Sequence, residues 1–260
     1  MWAALVLCAQ PTAAVAQEPP HISAQSAILY DCTANRILFE KDCRRQSLIA
    51  STTKIMTALV VLENCALDEL VTVAPEAEGV EGSSIYLRAG EQLSVEDLLL
   101  GLMLQSGNDA AVALAIHCAG SVEGFAAKMN YLAEKLEMTG SHFMNPNGLD
   151  AEGHYSTAYD LAILTRYALE NEDFARIVST KTATLAGNRC VTNHNKLLWR
   201  YDGCIGVKTG YTRAAGRILV SAAERDGRRL AVVTIGDGDD WNDHQRLLDY
   251  GFLLTLSGPE

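Results

Sequence analysis

The stretch Ala50-Ser51-Thr52-Thr53-Lys54-Ile55-Met56 opens an apolar run that reaches Leu62 without a glycine or proline. Such a run predicts a helix buried on most sides, with Ser51 at or just inside its first turn. Side chains at i and i+3 on a helix are neighbours, roughly 5–6 Å apart at Cβ, so the Ser51 hydroxyl and the Lys54 ammonium can meet. A serine hydroxyl is a weak nucleophile until a base takes its proton, and a lysine is such a base only when desolvated or set beside another cation. The positive end of the helix dipole acts in the same sense. Buried against a second lysine, Lys54 would titrate near ~7–8. The plainer alternative makes Ser51 an N-cap and Lys54 a solvated first-turn residue. Ser-x-x-Lys alone occurs by chance in most chains of this length, so the pair needs company before it carries chemistry.

A chain of 260 residues accommodates one large domain, or a core with a lobe inserted in it. With 48% apolar and 20% charged residues, it has the composition of a folded globular protein. Lys plus Arg (21) against Asp plus Glu (32) gives a formal net charge of -11 with no basic block, so no nucleic-acid partner is expected. Apart from the N-terminal residues, no segment approaches about 18 unbroken apolar residues, and no membrane anchor is evident. Nothing in the sequence specifies an oligomeric state.

Residues 1–16 read as a signal peptide. Trp2 to Ala9 forms a short apolar core and Ala14-Val15-Ala16 before Gln17 a small-x-small cleavage site; the basic n-region is missing, and the alternative is a buried N-terminal element. Export places the mature chain, 17–260, in an extracytoplasmic compartment that permits disulfides. Cys65 and Cys118, near the ends of apolar helices, read as core thiols, and the spacing of Cys32, Cys43, Cys65, Cys118, Cys190 and Cys204 assigns no pairing.

Ser26 to Tyr30 and Arg36 to Glu40 flank Thr33-Ala34-Asn35 and predict a hairpin. Ser94-Val95-Glu96-Asp97 opens a helix that runs through Leu104, and a second apolar helix occupies Ala110 to Cys118 and ends at Gly120. Ser121 caps a helix to about Met138 that closes at Gly140, Thr157 with Asp160 caps one through Leu169, and Asn171 caps a shorter one. From Lys181 the pattern turns to strands, near Thr182 to Ala186, Ile205 to Thr209, Arg217 to Glu224 and Arg229 to Ile235, with Asp226-Gly227 as a hairpin turn. A last helix spans Trp241 to about Leu254. Strands at both ends with helices between them predict an α+β fold, one antiparallel sheet carrying a helical lobe. The sheet subdomain takes about 22–50 and 180–260, the lobe about 65–178.

Two further stretches interrupt this regular pattern. Gln105-Ser106-Gly107-Asn108-Asp109 separates two buried helices; it is either an ordinary turn or a way to project Ser106 and Asn108 into a cleft, the serine to pass a proton and the asparagine to hold a substrate amide. Gly206-Val207-Lys208-Thr209-Gly210-Tyr211-Thr212 lies on a strand; Lys208 is either a surface residue or a second cation that acts on Lys54 and on an anionic group, and Gly210 lets a substrate backbone lie close.

Ser51 and Lys54, Ser106 and Asn108, and Lys208-Thr209-Gly210, in that order, match the motif type of penicillin-binding proteins and class A β-lactamases. The longer matches Ser51 to Ala58, Ser106 to Ala110, Asn145-Pro146-Asn147-Gly148-Leu149 and Lys208 to Thr212 resemble the serine D-alanyl-D-alanine carboxypeptidases of peptidase family S11, over roughly Gln25 to Phe252. The resemblance implies a DD-peptidase/β-lactamase-like fold. It also implies that Ser51 attacks the carbonyl between two D-alanines of a peptidoglycan stem peptide with Lys54 as base, and that Ser106 shuttles a proton. Asn108, Lys208, Thr209, Gly210 and Tyr211 would line the substrate path, the N–H groups of Ser51 and Tyr211 would form the oxyanion hole, and β-lactams would acylate Ser51. No cofactor or metal is implied.

Two departures stand out. Many members continue into a β-rich second domain and an amphipathic C-terminal anchor, whereas this chain is read as having no C-terminal β domain. Some carry an arginine before the last helix that helps bind the substrate carboxylate; the stretch here is Asp237-Gly238-Asp239-Asp240-Trp241. His142, His154, His194 and His244 show no metal-ligand spacing. The alternatives are a serine β-lactamase, for which the loop holding Glu152 lacks the class A Glu-x-x-x-Asn pattern, and a non-catalytic penicillin-binding sensor of the cell wall.

Overall fold

The computed structural model describes residues 18–256. The stretch 1–16, read as a signal peptide, lies outside them. In chain order the regular elements are β1 (Ser26–Asp31), β2 (Arg36–Lys41), α1 (Lys54–Asn64), β3 (Leu70–Thr72), β4 (Gln92–Ser94), α2 (Val95–Leu104), α3 (Asn108–Ala119), α4 (Val122–Lys135), α5 (Ala158–Ala168) and α6 (Glu172–Ser179). There follow β5 (Thr182–Leu185), β6 (Arg189–Thr192), α7 (Leu197–Arg200), β7 (Cys204–Thr212), β8 (Gly216–Arg225), β9 (Arg228–Ile235) and α8 (Asp240–Leu256).

The main sheet has the order β2-β1-β9-β8-β7 and is antiparallel throughout. Its two faces are both covered. Ile28, Tyr30, Val220 and Val233 point into the large core shared with the helical lobe, while Ala27, Leu29, Leu219 and Val232 pack under Leu247, Leu248 and Phe252 of α8. Burial on both faces is why these strands read as apolar runs rather than alternating ones. The α+β architecture, a flanked antiparallel sheet with helices inserted between its first and last strands, is the one the sequence predicts.

The side-chain caps expected at Ser94, Ser121, Thr157 and Asn171 are all present, each side chain accepting an N–H of the following turn. Three expectations need correction. The fourth helix stops at Lys135, not near Met138, because Glu137 takes the left-handed conformation (φ 56°) and Met138 N–H closes back on the Ala133 carbonyl at 2.9 Å, ending the helix before Gly140. The strand at Thr182 does not join the main sheet but pairs with Arg189–Thr192 in a separate ribbon. Cys65 and Cys118 are not core thiols but a disulfide that ties the C-terminal ends of α1 and α3. Among the described residues no single helix is long and apolar enough to cross a membrane.

Among the described residues β7 is an edge strand, paired in the sheet with β8 alone. The 3-10 turn Ala50–Thr53 packs against it, and a Cβ on Gly210 would sit 3.3 Å from Ser51 N and 3.2 Å from the Ile49 carbonyl. Gly210 is therefore the place where the strand and the Ser51 turn touch. The close approach that its missing side chain allows is to the protein's own backbone, a use the sequence reading assigned to substrate.

Candidate active site

Ser51 lies in the 3-10 turn that feeds directly into α1, and it caps nothing: neither that turn nor α1 has a side-chain N-cap hydrogen bond. Ala50 enters the turn with φ 44°, which turns the Ser51 side chain out of the core side of the helix to line the cleft. One turn later, Lys54 is fully buried (0% exposed), so it is not a solvated first-turn residue. Its Nζ lies 3.0 Å from Ser51 Oγ, 2.7 Å from Asn108 Oδ1 and 2.6 Å from the Asn147 carbonyl oxygen.

These three contacts determine what Lys54 can do. Burial holds its pKa well below the ordinary lysine range, Lys208 pushes it lower, and Asp109 opposes them. A neutral amine has two N–H donors and one lone pair. Asn108 Oδ1 and the Asn147 carbonyl are pure acceptors at the shorter distances, so they claim the two N–H groups. The lone pair is left facing Ser51 Oγ, where it can accept the hydroxyl proton.

Asn108 starts α3, and its side chain is fully used: Oδ1 accepts from Lys54 and Nδ2 donates to the Glu81 carbonyl at 2.6 Å. The structure thus shows it orienting the base. Its neighbour Asp109, 1% exposed, accepts from Ser84 Oγ at 2.6 Å and from the N–H groups of Ile85 and Leu87, which folds the 81–87 loop over this end of the cleft. Ser106 sits at φ 64° in the tight link between α2 and α3 and lines the cleft; no hydrogen bond of its hydroxyl to a described residue is formed.

Lys208, 1% exposed, donates to the Thr209 carbonyl at 3.0 Å, and burial lowers its pKa to about 7. Thr209, Gly210 and Tyr211 follow on the free edge of β7. Together with Ser51, Ser83, Ser106, His194, Lys196, Arg217, Asp240 and Trp241 they line a cleft of about 820 Å³. The structure therefore brings Ser51, Lys54, Ser106, Asn108, Lys208, Thr209, Gly210 and Tyr211 together around one opening. No arginine stands in the loop before α8; Arg217 reaches that loop from β8, its Nη1 donating to the Gly238 carbonyl at 3.3 Å.

The sequence reading missed the support behind Lys54. The 145–149 segment, read only as a turn and a family match, supplies the Asn147 carbonyl, and Gly148 (φ 85°) lets it press on the Ser51 turn: a Cβ there would overlap the Ala50 carbonyl. His154 is 2% exposed; its Nδ1 accepts the Met144 N–H at 3.0 Å, so its Nε2 carries the proton toward Thr53 Oγ1 at 2.8 Å. Burial holds its pKa at about 4, so it stays neutral as a pin between this loop and the turn. His194, also missed, faces the cleft with its pKa lowered by burial and by Lys208. One grouping of metal-capable side chains exists among the described residues, Cys65, Glu69 and His117, at the opposite ends of α1 and α3 from Lys54 and Asn108 and with the Cys65 sulfur committed to the disulfide.

The family model for D-alanyl-D-alanine carboxypeptidase, peptidase S11, matches residues 13–239. The chain belongs to peptidase family S11. This S11 chain is 35% identical over 248 residues to the D-alanyl-D-alanine carboxypeptidase DacF of Bacillus subtilis, covering 91% of itself and 64% of that protein. Its fold superposes on a D-alanyl-D-alanine carboxypeptidase of Mycobacterium tuberculosis with a TM-score of 0.87 at 35% identity, covering 95% of this chain and 96% of that one. A mutant of the Streptomyces K15 DD-transpeptidase gives a TM-score of 0.85 at 33% identity, covering 90% and 99%. The S11 chain spans less than two thirds of the first curated relatives it matches: 64%, 65% and 60% of their lengths.

Proposed function

We propose that the protein is a serine D,D-carboxypeptidase that removes the terminal D-alanine from peptidoglycan stem peptides. The observation that carries this reading is the fully buried Lys54, its pKa held well below the ordinary lysine range by burial, with its Nζ 3.0 Å from Ser51 Oγ. In the first half-reaction Ser51 Oγ attacks the penultimate carbonyl and its proton passes to Lys54. The tetrahedral oxyanion is held by the N–H groups of Ser51 and Tyr211, worth about 2.7–4 kcal/mol per donor in comparable sites. Collapse breaks the C–N bond, and the amine of the departing D-alanine takes a proton relayed from Lys54 through Ser106. Water then attacks the acyl-serine ester, restores the hydroxyl and frees the shortened peptide. Burial, helped by Lys208, lowers the Lys54 pKa, and Thr209 and the free edge of β7 hold the peptide as an added strand. β-Lactams acylate Ser51 by the same first step.

The β-lactamase reading is disfavoured by position: Glu152 is exposed and lies outside the cleft-lining set. The same proposal includes removal of residues 1–16 as a signal peptide, a catalytic domain formed by 17–260 and an extracytoplasmic location at the cell envelope. The test is intact-protein mass spectrometry after a penicillin pulse, beside D-alanine release from a pentapeptide stem. One drug adduct on Ser51, absent in Ser51→Ala, together with release of one D-alanine per peptide supports the reading. An adduct without any release leaves a penicillin-binding sensor, and neither adduct nor release on folded protein removes the reading altogether.

A further inference from the structure

The far ends of α1 and α3 bring four donor side chains of three chemical types to one point. Cys65 and Glu69 come from the link between α1 and β3, and His117 and Cys118 from the last turn of α3. Candidate ligand atoms of Cys65, Glu69 and His117 lie within 4.8 Å of one another, and the Cys118 sulfur is bonded to that of Cys65. The backbone behind them is fixed without the disulfide: Cys65 N–H donates to the Val61 carbonyl at 2.9 Å, Glu69 N–H to the Ala66 carbonyl at 3.2 Å, and Val95 N–H to the Glu69 carbonyl at 2.9 Å. The Glu69 carboxylate is oriented as well, Oε1 accepting the Ala66 N–H at 2.6 Å and Oε2 meeting His117 Nε2 at 3.0 Å. His117 and Glu69 are exposed and both cysteines half-buried, so an ion has a way in. None of the four lines the cleft, and the length of α1, 11 residues or about 16 Å, separates them from Lys54.

Joined, the two sulfurs are poor ligands, because the thiolate is what binds a metal. Separated, they complete a set of two thiolates, an imidazole nitrogen and a carboxylate oxygen, the donor types and the number that tetrahedral zinc takes. Zinc at about 2.3 Å from each sulfur sets the two about 3.8 Å apart. The two Cα atoms are 6.7 Å apart, near the wide end of the span of about 4.4–6.8 Å that a disulfide bridges, so rotation of the two side chains provides that distance with the backbone in place. A dithiol supplies the two electrons that break the S–S bond, closing into its own cyclic disulfide and leaving two cysteine thiols. Zinc then replaces the two thiol protons, which pass to solvent. The plainer account, a surface ion pair beside a structural disulfide, uses the same contacts and predicts no metal in either redox state.

We propose that the reduced protein holds one zinc ion through the thiolates of Cys65 and Cys118, His117 Nε2 and a Glu69 oxygen, so that α1 and α3 are joined by metal where they are not joined by sulfur. His117 coordinates as the neutral ring with its proton on Nδ1, and the Ala66 N–H keeps the carboxylate aimed at the ion. The site goes beyond the peptidase reading and does not depend on it. The test uses the full chain, reduced with a dithiol that is then removed by anaerobic gel filtration, beside the oxidised chain. Both are titrated with Co²⁺ and then with Zn²⁺ in competition. The reduced chain should take up one equivalent, show the thiolate charge-transfer and tetrahedral d–d bands of cobalt, and lose them to zinc; zinc should also raise its melting temperature. The oxidised chain, which keeps Cys32, Cys43, Cys190 and Cys204 as free thiols, should do none of this. His117→Ala and Glu69→Gln leave both cysteines in place, so their folds are checked by melting in the oxidised form. Each should weaken zinc binding by more than the roughly 10- to 100-fold that losing a partner behind a ligand costs. Cys118→Ser should abolish the charge-transfer band of this site. No stoichiometric binding by the reduced chain, equal binding by the oxidised chain, or native affinity in Cys118→Ser overturns the site. Native affinity in both His117→Ala and Glu69→Gln overturns the four-ligand assignment.

Discussion

Replacing Asn108 by aspartate tests whether this residue serves the base or the substrate. The change is nearly isosteric and puts a carboxylate oxygen where Oδ1 now stands, 2.7 Å from Lys54 Nζ. At an effective dielectric of about 20, a unit charge pair at that distance gains about 6 kcal/mol, which is an upper bound. Opposite charges in proteins more commonly move a pKa by about 1–3 units. Taking about 2 units, the acid limb of the acylation profile shifts upward by about 2 pH units, and at any pH below the native Lys54 pKa the rate falls about 100-fold, since each unit is a factor of ten in free base. The loss is recoverable at alkaline pH, where Lys54 again becomes neutral. The new carboxylate also confronts the Glu81 carbonyl that Nδ2 now bonds at 2.6 Å, so melting curves should accompany the kinetics. The assay is the second-order rate of Ser51 labelling by a fluorescent penicillin between pH 5 and pH 10. A uniform drop at every pH, with the acid limb in place, would refute the reasoning and return Asn108 to a substrate-holding role.

Two further outcomes follow from the support around the site. Gly148→Ala adds a Cβ into the Ala50 carbonyl at a left-handed φ of 85°, which costs about 1–2 kcal/mol for the backbone alone; it should lower the melting temperature and slow Ser51 labelling, and a variant with native labelling would show that the Asn147 carbonyl is dispensable. His244 is fully buried between Ser221 (2.6 Å) and Thr234 (3.0 Å), and burial drops its pKa to about 3. The unfolded chain binds its proton first, so this contribution is whole above pH 6.5 and is lost as pH falls toward about 3, at most about 5 kcal/mol at about 1.36 kcal/mol per pH unit. Urea melts from pH 7.5 to pH 4 should show a steeper acid loss for wild type than for His244→Gln, and parallel slopes would exclude His244 as the cause.

The residues of the candidate site were legible because each pair is local. Ser51 and Lys54 are one helical turn apart, Ser106 and Asn108 share a tight link, and Lys208 to Tyr211 share a strand; short spacing constrains geometry before tertiary structure is known. What the sequence left open is everything made by backbone atoms or by long-range pairing. The carbonyls of Asn147 and Glu81 are invisible in side-chain identity, and nothing in Gly210 says whether it makes room for a ligand or for the Ser51 turn. Arg217 escaped notice because its position depends on the β7–β8 register, which a sequence of apolar strands buried on both faces does not reveal. The Cys65–Cys118 disulfide escaped for a related reason: α1 and α3 meet only through the packed core.

The proposed base exists only as a product of assembly. Lys54 draws its character from α1, from Asn108 at the start of α3, from the 145–149 loop and from Lys208 near the end of the chain. In an extended polypeptide it is an ordinary protonated amine, and Ser51 is an ordinary alcohol. On the proposed chemistry, a chain still being synthesised is therefore inert toward peptides and β-lactams alike. Acylation by a penicillin then counts native molecules one by one, a titration of correct folding that needs no knowledge of the substrate.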